Sequence, residues 1–147
     1  MLETALMCLA LNIYFEARSE PIQGQIAVAE VTLNRVASKH YPNDICGVVL
    51  QDNSENCQFS WWCDGKSDYP REENSLRTSK ALAQLMLEEG DYISVIGSKA
   101  THYHSVDVHP YWADELKRIR RIGKHIFYKK SESEWLRPLP RPANLVD

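Results

Sequence analysis

No stretch of the 147 residues approaches the ~20 consecutive apolar residues that a membrane-spanning helix requires. Charge of one sign is also lacking. The chain has 17 Lys and Arg against 20 Asp and Glu, a formal net charge of −3, and so misses the overall positive footprint of a nucleic-acid binder. The four cysteines fall well below the density of a disulfide scaffold. The apolar opening MLETALMCLALNIYF has neither a basic leader nor a small-residue cleavage site, and Glu3 stands where positive charge belongs. It therefore reads as a buried helix and not as a secretory signal. No internal repeat is visible. What remains is 44% apolar and 25% charged. At this length a chain buries roughly two-thirds of its unfolded surface, which supports one core.

Leu2, Leu6, Leu9 and Ile13, with Ala5, Ala10 and Leu11, recur at three- and four-residue steps and predict a helix from about Glu3 to Arg18. Pro21 suits the first turn of a second helix, whose stripe Ile22, Ile26, Ala29, Leu33 and Val36 runs to about Ser38. Asn43 and Asp44 are caps for a short helix through Leu50. From Asp52 to Asp68 the chain is polar, aromatic and aperiodic, the character of a long ordered loop, and loops of that length are usually functional. Glu72 to Glu89 is a further long helix. Ala100–Ser105 and Lys124–Tyr128 read as short strands able to pair, with a helix from Tyr111 to Ile122 between them that stops at Gly123. These elements make an α+β, predominantly helical domain with a small β-sheet over residues 1–130. A Pro-rich, extended tail follows over 131–147.

Charge is unevenly placed. Lys117, Arg118, Arg120, Arg121, Lys124, Lys129 and Lys130 follow one another without an acid, either as a solvated face or as an attraction for an anionic polymer. Asp44 to Asp91, by contrast, is mainly acidic.

Glu16 is the first candidate for chemistry. It ends an apolar helix after Ile13, Tyr14 and Phe15, where partial drying raises a carboxyl pKa toward neutrality, as a general acid needs. The bland alternative is an exposed helix-end Glu paired with Arg18. The run Gln58-Phe59-Ser60-Trp61-Trp62-Cys63-Asp64-Gly65 suits sugar binding, because rings pack on the apolar faces of pyranoses while amides and hydroxyls bond their oxygens. Tyr103, His102 and Trp112 could extend such a groove. Asn34 and Arg35 fit a role in holding the fold or orienting Glu16, and His125 fits a structural one. His102, His104 and His109 have strand-like spacing for a metal, but no HExxH helix or paired CxxC motif supports one. No cysteine lies in a nucleophile signature. Cys8 falls on a helix stripe and reads as a buried thiol, whereas Cys57 and Cys63 could bridge the aromatic loop.

Several dispersed motifs carry a resemblance. Ile13-Tyr14-Phe15-Glu16-Ala17-Arg18-Ser19-Glu20 is followed by Gly24-Gln25-Ile26-Ala27-Val28-Ala29 and Leu33-Asn34-Arg35-Val36. Cys46-Gly47-Val48-Val49-Leu50-Gln51, Gln58-Phe59-Ser60-Trp61, Ala100-Thr101-His102-Tyr103, Trp112 and Ile122-Gly123-Lys124-His125-Ile126-Phe127-Tyr128 then come in order. Together they resemble the SleB/CwlJ-type cell wall hydrolase family, best known from spore cortex-lytic enzymes, over about residues 9 to 129.

The resemblance implies a lysozyme-like, lytic transglycosylase-like fold acting on peptidoglycan glycan strands without a cofactor or metal. It implies Glu16 as the catalytic acid, and the sugar-binding chemistry above makes Gln58, Phe59, Ser60, Trp61, His102, Tyr103 and Trp112 the expected substrate-binding residues. The reaction implied is cleavage of the β-1,4 bond between N-acetylmuramic acid and N-acetylglucosamine, giving 1,6-anhydromuramoyl ends. A hydrolytic muramidase would need a second carboxylate, for which Glu20, Glu30 and Asp64 are the candidates. A glycan-binding module without turnover is the non-enzymatic alternative. The expected setting is a monomer acting on the wall, in the periplasm or outside the cell. With no visible signal, it would be a phage-type endolysin or a trimmed bacterial domain.

Overall fold

The computed structural model describes residues 4–51, 61, 65 and 69–130. Helix α1 spans Ala5–Ala17, and Thr4 caps its start by accepting the Met7 N–H at 3.1 Å. Pro21 precedes α2, Ile22–Ala37. Asp44 caps the short α3, Ile45–Val49, by accepting the Gly47 N–H at 2.6 Å. The next helix among the described residues, labelled α4, runs over Glu73–Glu89.

Helix α1 is the axis of the molecule. Leu9, Ala10 and Ile13 pack with Ala29 of α2 and with Leu82, Ala83 and Met86 of α4. Its opposite side, at Cys8 and Leu11, meets Val48, Val49 and Trp61. Its end, at Ala17, joins Ala27, Val28 and Val31 of α2 beneath the sheet residues Ala100, Ile122 and Phe127. Enclosure on every side explains why this helix has few polar positions. Truncating fully buried Leu9 to Ala would cost about 2–5 kcal/mol.

Three antiparallel strands form one sheet: β1, Ala100–Ser105; β2, Lys117–Ile122; and β3, His125–Lys129, in the order β1-β3-β2. The α+β, predominantly helical reading holds, as does the β1–β3 pairing. The helix expected over Tyr111–Ile122 does not form. One 3-10 turn, Tyr111–Asp114, leads instead into edge strand β2. Leu116, Ile119 and Ile122 repeat at the three-residue step of a helix, but a bulge between Arg118 and Arg120 gives a strand that same spacing. The extra residue lets Ile119 and Ile122 both reach the core while the cations stay outside. Gly123 is accordingly a hairpin residue and not a helix stop. Its φ is +57°, and a Cβ there would strike the Glu20 carboxyl and approach the Pro21 ring to 2.9 Å.

Cys8 is not a free thiol: it is bonded to Cys46, joining α1 to α3. Periodicity placed Cys8 inside, and helix spacing holds no information about a partner 38 residues away. A cross-link of that span is worth about 2–4 kcal/mol. Cys57, Cys63 and the Pro-rich tail lie outside the described residues.

Candidate active site

Glu16 sits one residue before the end of α1, facing β1. Strand alternation turns Tyr103 toward the helices while His102 and His104 face the other way. The Tyr103 hydroxyl donates to Glu16 Oε1 at 2.6 Å. The other carboxyl oxygen, Oε2, remains open and has no partner among the described residues. Burial raises the Glu16 pKa above the ordinary 4.5, opposed in part by the Tyr103 hydrogen bond and by the Arg35 charge. Tyr103 is raised well above 10 by its own burial and by Glu16, so it stays a donor.

The cation is anchored independently of the carboxyl. Arg35, on α2 and 5% exposed, donates its Nε–H to the Thr101 carbonyl at 2.9 Å and lies over the Tyr41 ring at 5.0 Å. One residue earlier, the Asn34 amide donates to the carbonyls of Gly97 at 2.9 Å and Ala100 at 2.8 Å. The two side chains pin the start of β1 and thereby the height of Tyr103 against Glu16. Tyr103 was legible as a groove residue but not as the partner of Glu16; alternation with His102 was the signal that could have placed it inward.

The outer face of the sheet holds a ring cluster. Trp112 lies 5.0 Å from His102, 5.6 Å from His104 and 5.4 Å from Tyr128. His104 Nε2 accepts the Tyr128 hydroxyl at 2.8 Å while Nδ1 donates to the Ser105 carbonyl at 2.7 Å, an assignment that satisfies both nitrogens. His102 is lowered to about 4, first by burial and then by Arg35 and Lys130. Its Nδ1 lies 3.0 Å from Thr101 Oγ1. His109 instead lies 3.2 Å from exposed Asp114, and among the described residues no three His, Cys, Asp or Glu side chains converge as metal ligands.

Of the aromatic loop, Trp61 is described and Gln58, Phe59, Ser60 and Asp64 lie outside the described residues. Trp61 is 6% exposed, donates its indole N–H to Asn12 Oδ1 at 2.8 Å and stacks on Phe15 at 4.9 Å. Trp61 is thereby fastened to α1 beside Glu16.

Two of the candidate second carboxylates are already engaged. Glu20 accepts the Lys124 backbone N–H at 2.8 Å, clamping the β2–β3 turn to the corner between α1 and α2. His125 is 4.0 Å from Glu20, but burial lowers its pKa and keeps it neutral near pH 7, so the contact is not an ion pair there. Glu30 accepts from the Ser94 hydroxyl at 2.8 Å and from the N–H groups of Val95 at 2.8 Å and Ile96 at 3.1 Å.

A family model described as Cell Wall Hydrolase matches residues 19–128, starting just after Glu16. A spore cortex-lytic enzyme of Bacillus cereus is 30% identical over 121 residues, covering 82% of this chain and 42% of the relative. Another, from Halalkalibacterium halodurans, is 36% identical over 120 residues, covering 81% and 33%. The chain thus spans less than half the length of these relatives. Among solved structures, the catalytic domain of the germination-specific lytic transglycosylase SleB from Bacillus anthracis superposes with a TM-score of 0.67 at 32% identity, covering 86% of this chain and 95% of that one. The catalytic domain of the Bacillus cereus SleB protein gives 0.64 at 30%, covering 85% and 89%. The lysozyme-like fold implied by the motifs holds over this span.

Proposed function

From the premise that the chain belongs to the cell wall hydrolase family, we propose that it is a peptidoglycan lytic transglycosylase with Glu16 as its one acid and base. It cleaves the β-1,4 bond between N-acetylmuramic acid and N-acetylglucosamine. The observation that carries this reading is the asymmetry of the Glu16 carboxyl, tied at Oε1 and, among the described residues, open at Oε2. Burial favours its protonated form, so Oε2 can deliver a proton to the glycosidic oxygen as the bond to C1 breaks. The carboxylate left behind accepts the proton of the muramoyl C6 hydroxyl, whose oxygen closes on C1. The product is a 1,6-anhydro ring, no water is consumed and Glu16 ends protonated as it began. Tyr103 fixes the carboxyl throughout, and Arg35 stabilises its charged interval.

Hydrolysis would require a second carboxylate holding a water across the sugar ring, about 5 to 9.5 Å away. The engagement of Glu20 in the turn and of Glu30 in a loop supports the single-carboxylate route. In this reading His102 and Trp112 line the groove together with Gln58, Phe59, Ser60 and Trp61, residues 1–130 form the catalytic unit, and the site of action is the wall.

The test is mass spectrometry of fragments released from purified peptidoglycan. Anhydromuramoyl ends from the wild type, absent with a folded Glu16→Gln variant, are the expected result. Reducing muramoyl ends carrying an added water would overturn the transglycosylase assignment, and equal release by both proteins would overturn Glu16.

A further inference from the structure

Strand β2 has features that glycan cleavage leaves unused. Lys117, Arg118, Arg120, Arg121 and, in the turn, Lys124 are all exposed. Arg121 donates to the Gly123 carbonyl at 2.8 Å, and no described carboxylate lies within ion-pair distance of any of these cations. The strand is also the sheet edge: it pairs with β3 on one side, and its other side keeps backbone donors and acceptors unpaired among the described residues. Lysines on a sheet edge commonly serve only to prevent strand-to-strand association. Three arginines clustered around a bulge go further, because guanidinium groups present forked donors suited to carboxylates.

Position gives the cluster a partner. The Glu20 clamp on Lys124 holds the β2 turn at the end of α1 that carries Glu16. Across the sheet, β2 lies two strand spacings from Tyr103 on β1, about 9–10 Å. A peptide of four residues extends about 13 Å. A muramoyl unit held at Glu16 would therefore bring its attached stem peptide, which bears free carboxylates, within reach of these cations.

We propose that the β2 edge is a binding site for the acidic stem peptide of the muramoyl unit, with Lys117, Arg118 and Arg120 pairing its carboxylates and the open strand edge bonding its amides. The inference rests on the proposed glycan cleavage, which supplies the geometry, but it concerns a separate surface. The site selects for strands that keep their peptides and whose carboxylates are not amidated.

The experiment is an NMR titration of the Glu16→Gln protein, which does not depend on turnover, with a synthetic stem tetrapeptide containing D-glutamate and diaminopimelate. Shifts should centre on the amides of β2 and its turn. A Lys117→Gln/Arg118→Gln/Arg120→Gln variant should bind about tenfold more weakly, as should the wild-type surface toward the amidated peptide, whereas Lys80→Gln on α4 should bind as before. These side chains are exposed, and circular dichroism checks the fold. Absence of β2 shifts, or equal affinity in the triple variant, overturns the proposal even if glycan cleavage is intact. Binding of poly(glycerol phosphate) in place of the peptide would overturn it in favour of a phosphate polymer. A wild type that binds the peptide at β2 but releases no fragments would sink the cleavage reading and leave this surface standing.

Discussion

Glu16 and Glu30 occupy adjacent helices, and both carboxyls are drawn out of bulk water, yet their surroundings differ in kind. Glu30 receives a hydroxyl and two backbone N–H groups spread over both oxygens. Among the described residues Glu16 receives one phenol, on one oxygen. A carboxylate whose acceptor sites are filled by fixed donors is a strut, holding the segment Ser94–Ile96 against α2. One that is dried but left half unpaired has its protonated form favoured and an oxygen to present. The number and fixity of donors, more than burial, separates the structural acid from the one proposed to react.

The sharpest way to break the comparison is to neutralise each acid in turn. Glu16→Gln should lower glycan cleavage by about 100- to 10,000-fold in turbidity assays. It should also raise the melting temperature at pH 8. Burial holds the folded pKa above 4.5, so the charged form costs stability at high pH, and the gain should fade as the pH falls below that value. Glu30→Gln should do the reverse, leaving cleavage per folded molecule intact while losing about 1–3 kcal/mol in urea denaturation, since an amide N–H₂ would face donors it cannot accept.

Two smaller changes sharpen it. Tyr103→Phe removes the hydroxyl that donates to Glu16 and should slow kcat roughly tenfold. The hydrogen bond lowers the Glu16 pKa, so its loss should move the alkaline limb of the pH–rate profile upward; a limb that moved downward would contradict the assigned donor. The least effect is expected at His102, which folds neutral with a pKa of about 4. The unfolded chain binds its proton first, so stability should fall between about pH 6.5 and 4 and level off below. His102→Gln should flatten that slope in melts across the range.

The helices and the site were unequally legible. Apolar spacing located α1, α2 and α4 because burial imposes a period on sequence, and Asp44 announced α3 by the chemistry of its cap. Strand β2 was hidden because a bulge gives Ile119 and Ile122 a helical step. Glu16 could be singled out from its apolar approach, but its link to Tyr103 spans 87 residues and depends on strand register, which Asn34 and Arg35 set through backbone carbonyls. The Cys8–Cys46 bond is hidden for the same reason: proximity made by tertiary packing leaves no local mark.

The enclosure of α1 also bears on how this protein can change. From Cys8 to Tyr14 every residue is buried, so the helix that carries the proposed acid offers almost no position there where substitution is silent. Strand β2 differs: Ile119 and Ile122 reach the core, but Lys117, Arg118, Arg120 and Arg121 point outward, and their exchange disturbs little but charge. Diversification and deliberate redesign therefore have different room at the two places. If the sheet edge reads the stem peptide as proposed, alterations of wall preference can accumulate there while the helix that carries Glu16 stays fixed, and libraries built to retarget the protein should be spent on that edge.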